Sequence, residues 1–207
     1  MTTMLTLFNY PSSRNGWKVR LLLQHLGRTY RTVTVNIFEN GDQRAEYRHI
    51  NPTGKVPAIQ LDDGRTLAES NAILFYLAEG SIYLPIDPFD RAKVLQWMSF
   101  EQEQVESTIG TLRYWMHTGE LSRRSPELVE AKRKAAQQAV GILDREFARQ
   151  PFITGDRYTI ADMAIFAYAT CAEDTGVRLD PFPHFRSWTT RVEAQPGFLA
   201  AQSVRAS

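Results

Sequence analysis

Leu5 to Gly27 reads LTLFNYPSSRNGWKVRLLLQHLG, and the fold is decided in this stretch. Leu5 to Phe8 is a short β-prone run, and Pro11-Ser12-Ser13-Arg14-Asn15-Gly16 is a polar turn. After the turn, apolar residues recur at Val19, Leu22, Leu23 and Leu26, the spacing that lines one face of a helix, and Gly27 stands where a helix can close. Tyr30 to Val35 reads as a second strand, so the chain opens as a βαβ unit. Working outward, Asp42 to Ile50 is polar and only weakly helical, which predicts an irregular helix or loop. Ala58 to Leu61 and Arg65 to Ala68 flank Asp62-Asp63-Gly64, whose Asp-Gly pair supplies the positive φ angles of a tight hairpin. Ser70 is placed to cap a further helix carrying Ile73, Leu74 and Leu77.

The order β-α-β, link, β-β-α ends near residue 80. Two prolines in Leu84-Pro85-Ile86-Asp87-Pro88 mark a linker, and no strand signal follows it. Residues 1–81 are therefore expected to form an α/β domain, 82–89 a linker and 90–207 an all-helical domain. Val94, Trp97, Met98 and Val105 share one helical face; Leu128, Ala131, Ala135, Leu143 and Phe147 outline a second long helix. Ile160, Met163, Ala164, Ala167, Tyr168 and Cys171 give the clearest stripe, and Thr159 with Asp162 ahead of it predicts a capping box with folding value. Phe185, Trp188 and Val192 mark a last short helix.

Composition narrows the function classes. A chain of 207 residues with 43% hydrophobic and 11% aromatic residues can bury sizeable cores, yet holds no apolar run of the roughly 18 to 20 residues that a membrane span requires. The start carries no basic segment, so it does not read as a secretory signal, and a soluble, cytoplasmic protein with no membrane partner is the expectation. Cys171 is the sole cysteine, which excludes an internal disulfide framework and any multi-cysteine metal site; the four histidines show no ligand spacing, so no metal is expected. A net charge of +1 offers no overall field for nucleic acid or anionic lipid, leaving a small molecule as the expected partner.

Three motifs in order point further: Asn51-Pro52-Thr53-Gly54-Lys55-Val56-Pro57, then Glu69-Ser70-Asn71-Ala72-Ile73 with Tyr76-Leu77, then Gly155-Asp156 through Thr159-Ile160-Ala161-Asp162. In this order and at these separations, the chain resembles the soluble glutathione transferases over essentially its whole length. The active-site turn is similar to the serine- and asparagine-type bacterial members (nu, theta and zeta classes). The resemblance implies a thioredoxin-like N-terminal domain, a helical C-terminal domain and a homodimer. Glutathione would be the co-substrate, with no cofactor, and a small, largely apolar electrophile the second substrate.

The resemblance also implies site residues. A cis bond between Val56 and Pro57 would turn the backbone of Val56 toward the cysteinyl part of glutathione. Ser70 and the amides of a helix N-terminus suit the γ-glutamyl carboxylate, Glu69 suits the ammonium group, and Lys55 can neutralise a carboxylate. Glutathione is a thiol with a pKa of about 8.5, so an enzyme that uses it must stabilise the thiolate. The turn offers Tyr10, Ser12, Ser13 and Asn15 for this. Counting back from Trp17-Lys18-Val19-Arg20, Ser13 falls where serine-type classes place their hydroxyl and Asn15 where some bacterial classes place an amide, which makes Ser13 the expected donor with Asn15 beside it. The same residues are also what a tight turn requires. Cys171 lies in an apolar stripe and reads as core.

In this fold the electrophile pocket involves the far end of the first long helix of the second domain. Its candidates are Tyr10, Phe100, Gln104, Thr108, Leu112, Arg113, Tyr114 and Trp115. Arg123-Arg124 and Lys132-Arg133-Lys134 read as a solvated face. Asp42 departs from the family pattern, because an ionised carboxylate can only accept where a donor to the glycine carboxylate is expected; Gln43 can substitute. Two other readings keep the fold: a glutathione-dependent disulfide reductase, and a non-catalytic binding or regulatory protein.

Overall fold

The computed structural model describes residues 4–36 and 42–201. They form two compact units, one made of the residues up to Ser81 together with Pro196 to Ala201, the other of Ile82–Gln195. The last six described residues thus belong with the first unit, whereas the sequence reading assigns them to the helical half. Trp17 Nε1 donates to the carbonyl of Leu199 at 2.7 Å, and the Trp17 ring meets Phe198 edge-on.

In the first unit, β1 (Leu5–Asn9) leads through α1 (Arg14–His25) to β2 (Tyr30–Thr34), which pairs parallel to β1 with Leu7 opposite Thr32. The chain continues through α2 (Asp42–Tyr47) to β3 (Ala58–Leu61) and β4 (Thr66–Ala68), then α3 (Ser70–Leu77). β3 is antiparallel to β1, placing Leu7 opposite Ile59 and Phe8 opposite Ala58, and the sheet order is β2-β1-β3-β4. Strand periodicity sends Leu5 and Leu7 to one face and Phe8 to the other. Leu5, Leu7, Val19, Leu22, Leu23, Ile59, Ile73 and Leu74 are fully buried. On the face of Phe8, a second cluster joins Val35, Tyr47, Val56 and Ala58, with Tyr10 and Ile50 packed against it.

α1 ends as its sequence predicts. Gly27 adopts φ 59°, and the amide of Arg28 reaches the carbonyl of Leu23, satisfying groups the last turn leaves open. The start of α3 differs from expectation. Glu69, not Ser70, occupies the cap position, with φ 66° and no side-chain cap bond, and Ser70 is the first helical residue. The chain leaves β4 at Ala68 and must turn within one residue, which places Ser70 inside the first turn.

Apart from an isolated bridge between Phe152 and Gly155, the regular elements of the second unit are helices. α4 (Pro88–Phe100) continues through a π-helical stretch, Glu101–Gly110, into α5 (Thr111–His117); α6 (Pro126–Phe147), α7 (Ile160–Ala169) and α8 (Pro183–Glu193) follow. Asp87 caps α4 through the amides of Phe89 and Asp90. The capping box at α7 forms as predicted. The carboxylate of Asp162 accepts from the amides of Thr159 and Ile153 and from Trp188 Nε1, at 3.0, 2.9 and 3.0 Å. Burial pushes its carboxyl up to about 6, against the opposing pull of these hydrogen bonds.

The buried face of α6 sits one residue later than the sequence stripe in its first half. Val129, Ala136, Ala139 and Val140 are buried, while Leu128 is 44% exposed. One residue is about 100° of helix, enough to exchange faces. Long basic side chains supply part of the inner face, as their aliphatic stems allow. Lys132 Nζ donates to the carbonyl of Ser107 at 2.9 Å and Arg133 Nε to that of Thr175 at 3.0 Å, so these two are anchored rather than solvated. Cys171 is buried, as expected for core. Among the described residues no helix is long and apolar enough to cross a membrane.

Candidate functional site

The site grows from the turn between β1 and α1. The amide of Ser13 donates to the carbonyl of Tyr10 at 2.9 Å, closing the turn, and Arg20 Nη2 holds the carbonyl of Pro11 at 2.9 Å. Ser13 is the N-cap of α1, its Oγ accepting from the amide of Gly16 at 3.1 Å. That bond uses a lone pair of the hydroxyl, and the hydroxyl proton remains to be donated. Gly16 is required by close approach: a Cβ there would lie 1.7 Å from Oδ1 of Asn9, a buried residue at the end of β1.

α3 begins beside this turn. The hydroxyl of Ser70 donates to Oδ1 of Asn15 at 3.0 Å, so the α1 and α3 N-termini are directly joined. With its oxygen engaged in this way, Asn15 has Nδ2 as its donor end. Ser70 is buried, whereas Glu69 is exposed and held in a conformation that non-glycine residues rarely adopt. Such backbone costs about 1–3 kcal/mol and accumulates where geometry serves a ligand.

The third component is the loop before β3. The Val56–Pro57 bond is cis, as the resemblance implies. The carbonyl of Lys55 accepts from Tyr47 Oη and from Asn51 Nδ2, each at 2.7 Å. Asn51 also accepts from the amide and hydroxyl of Thr53, at 3.1 and 3.0 Å, which fixes the turn. Burial pushes the Tyr47 phenol up to about 12, so it remains a donor at neutral pH. The Lys55 side chain is exposed beside this braced loop.

These elements meet within the first unit and favour one kind of ligand. Two helix N-termini, each carrying roughly half a positive elementary charge, lie side by side with a hydroxyl and an amide at their mouths. An anion, or a group that becomes one, is what such an arrangement stabilises. Cys171 belongs to the second unit, and the turn holds no cysteine, so this unit's own chemistry has no protein thiol.

The other predicted residues are distributed as follows. Ser12 is half-buried, and Tyr10 is half-buried against the cluster of Val35, Tyr47 and Val56. In the second unit, Phe100 is half-buried with its ring 5.3 Å from that of Trp97; Gln104 and Tyr114 are exposed, and Arg113 is half-buried. Leu112 and Trp115 go into that unit's own core with Val129, and Thr108 is buried with its hydroxyl on the carbonyl of Gln104. The side chains of Asp42 and Gln43 lie outside the described residues. The sequence reading gives no role to Tyr47 or Asn51, which brace the loop before β3. Asn51 has the stronger signal, opening a turn four residues after Tyr47, so that both reach one carbonyl.

Residues 3–79 match the family model of the glutathione S-transferase N-terminal domain and residues 103–196 that of the C-terminal domain. The chain is similar to maleylacetoacetate isomerase of Pseudomonas aeruginosa, 30% identical over 95% of either chain. It is also similar to the disulfide-bond oxidoreductase YfcG of Escherichia coli, 28% identical over 93% of this chain and 92% of that one. Among solved structures, a glutathione S-transferase from Pseudomonas fluorescens superposes with a TM-score of 0.91 at 33% identity, covering 96% of this chain and 99% of the other.

Proposed function

This chain belongs to the glutathione S-transferase family, and from that premise we propose that it binds glutathione in the first unit and transfers its sulfur to an electrophilic carbon of a largely apolar substrate. Ser13 donates a hydrogen bond from its hydroxyl to the sulfur and Asn15 adds one from its amide, so that glutathione is held as thiolate. Glu69 takes the ammonium group and Ser70, with the first-turn amides of α3, the γ-glutamyl carboxylate. Val56 pairs with the cysteinyl backbone ahead of Pro57, and Lys55 neutralises a carboxylate. In the reaction the thiolate forms a sulfur–carbon bond as the leaving group departs with its electron pair, and the thiol proton is released to solvent. Rate comes from thiolate stabilisation and from holding the partners together. Phe100, Gln104, Arg113 and Tyr114 of the helical unit are the side chains assigned to the electrophile.

The observation that carries this reading is the Ser13 cap: its oxygen is occupied by Gly16, leaving a proton to offer at the helix N-terminus. A second reading, reduction of a disulfide by the same thiolate, has its support in Asn15, whose orientation is fixed by Ser70, and in the likeness to an oxidoreductase. Glutathione-dependent turnover of a halogenated aromatic and of a model disulfide, measured on one preparation, separates them. Conjugate formed faster than disulfide is reduced is the expected outcome; the reverse ratio selects the reductase, and binding with neither turnover selects a non-catalytic protein. A homodimer in the cytoplasm is the setting we assign, testable by sedimentation and by fractionation.

A further inference from the structure

The last described residues, Pro196 to Ala201, form neither helix nor strand and lie along α1 in the first unit. His25, the last residue of α1, donates from Nδ1 to the carbonyl of Pro196 at 3.0 Å, since a carbonyl can only accept. Trp17, in the first half of the helix, donates from Nε1 to the carbonyl of Leu199 at 2.7 Å, and its ring stands edge-on to Phe198 at 6.1 Å. The segment therefore runs antiparallel to α1. Gly197 turns it onto the helix with φ 76°, a conformation that residues with a Cβ rarely adopt.

What this segment grips bears on the site. The amide of Trp17 donates to the carbonyl of Ser13 at 2.8 Å, and the amide of Gly16, one residue earlier, donates to Ser13 Oγ. Asn15 lies two residues before Trp17. The first turn of a helix lacks intrahelical partners for its amides and opens locally at little cost, so a donor carried there keeps its aim when the turn is held from outside. α3 steadies one side of the turn through the Ser70–Asn15 bond. The terminal segment steadies the helix through Trp17, whose ring is 1% exposed and whose indole, turning about two bonds only, is fixed at its far end by Leu199. Aim matters here, because a misplacement of about 1 Å costs a reacting group up to roughly 100-fold in rate.

We propose that Pro196 to Ala201 form a strap that keeps the first turn of α1 aimed at the sulfur of glutathione, and that Trp17, on which the strap acts, is a positioning residue of the site. This inference rests on the function proposed above and extends it to residues that do not touch the ligand. Coupling between two sites is reciprocal, so a thiolate held by Ser13 and Asn15 holds the strap down in return.

The test uses three variants of the strap. Gly197→Val strains its turn without altering any residue of α1, Phe198→Ala removes the ring against Trp17, and Phe198→Tyr keeps that ring. The thiol of bound glutathione is titrated by absorbance in each and in the wild type, alongside unfolding curves. Gly197→Val and Phe198→Ala are each expected to raise the thiol pKa by about 0.5–1 unit, a roughly three- to tenfold smaller thiolate fraction at neutral pH, and Phe198→Tyr to leave it in place. In the wild type, the Trp17 indole proton, identified by its loss from the spectrum of Trp17→Phe, should exchange with solvent more slowly when glutathione is bound, by roughly the same factor. An unmoved thiol pKa in both disruptive variants overturns the inference, because a lowered unfolding midpoint alone would make the segment purely structural. So does indole exchange indifferent to glutathione, and so does failure of both variants to fold. A wild type that binds glutathione without lowering its thiol pKa, or does not bind it, refutes instead the function on which the inference rests.

Discussion

Ser13 combines two roles in one hydroxyl, and substitution separates them. Its Oγ caps α1 through the amide of Gly16, an interaction whose loss to alanine costs about 1 kcal/mol of stability, whereas glycine at a cap forfeits only a few tenths. The proposed donation to sulfur is a hydrogen bond to a charged group, which contributes about 1.5–3 kcal/mol. By transition-state arithmetic that is roughly 10- to 150-fold in rate. Ser13→Gly is thus expected to leave the urea midpoint nearly unchanged while lowering kcat/KM at about pH 6.5 by at least roughly tenfold. Ser13→Ala should show the same rate loss and, in addition, about 1 kcal/mol less stability. Because the loss acts through the thiolate fraction, the deficit should shrink as pH rises toward that of a free thiol, about 8.5. The assay is conjugation of a halogenated aromatic from pH 6 to 9 alongside urea unfolding. A glycine variant with full activity, or pH profiles that run parallel to the wild type, would refute the donor role and leave Ser13 a cap only.

Further outcomes follow from the same geometry. Gly16→Ala drives a Cβ against Oδ1 of Asn9 and is expected to cost about 1–3 kcal/mol by overpacking; adding Asn9→Ala should recover part of it, read as a non-additive double-mutant cycle in denaturant. Tyr47→Phe removes one of two donors to the carbonyl of Lys55, worth about 0.5–1.5 kcal/mol, and should raise KM for glutathione by up to roughly tenfold with kcat little changed. Asp162→Ala leaves Trp188 and two amides without their acceptor and, at about 1–3 kcal/mol for each buried donor left unsatisfied, should cost at least about 3 kcal/mol in thermal or chemical unfolding. The Asp162 carboxyl, at about 6 in the folded protein, lies above its ordinary value of 3.8. The folded state then binds more protons than the unfolded state between those values. Its contribution is fully present below about pH 4 and is lost as pH rises through about 6, a change of up to roughly 3 kcal/mol. Unfolding free energies at several pH values should show this fall in the wild type and not in Asp162→Asn.

Much of this architecture is legible in the sequence because local chemistry and tertiary packing agree there. The stripe of Val19, Leu22 and Leu23, the Asp-Gly hairpin and the Thr159–Asp162 box each form where periodicity and turn chemistry place them. The disagreements arise where a distant contact decides. α6 exposes Leu128 and buries Val129 because Lys132 and Arg133 bring their stems to the inner face, an option a hydrophobic pattern does not register. Ser70 leaves the cap position because Glu69 takes a positive φ, and no propensity predicts a strained glutamate. Ser13 and Asn15 are visible as turn residues and as family positions, yet the Asn15–Ser70 bond spans 55 residues of chain. Lys18 reads as an ordinary charged residue of an amphipathic helix, and only the packing of α3 against α1 reveals that it is enclosed.

The central claim is that this turn holds glutathione as its thiolate. Calorimetric titration with reduced glutathione at about pH 7, repeated in buffers of different ionisation enthalpy, counts the protons released on binding. A free thiol with a pKa of about 8.5 is almost wholly protonated at that pH, so the account predicts release of most of one proton per glutathione bound. Binding with no proton released, or no heat of binding at all, would contradict it.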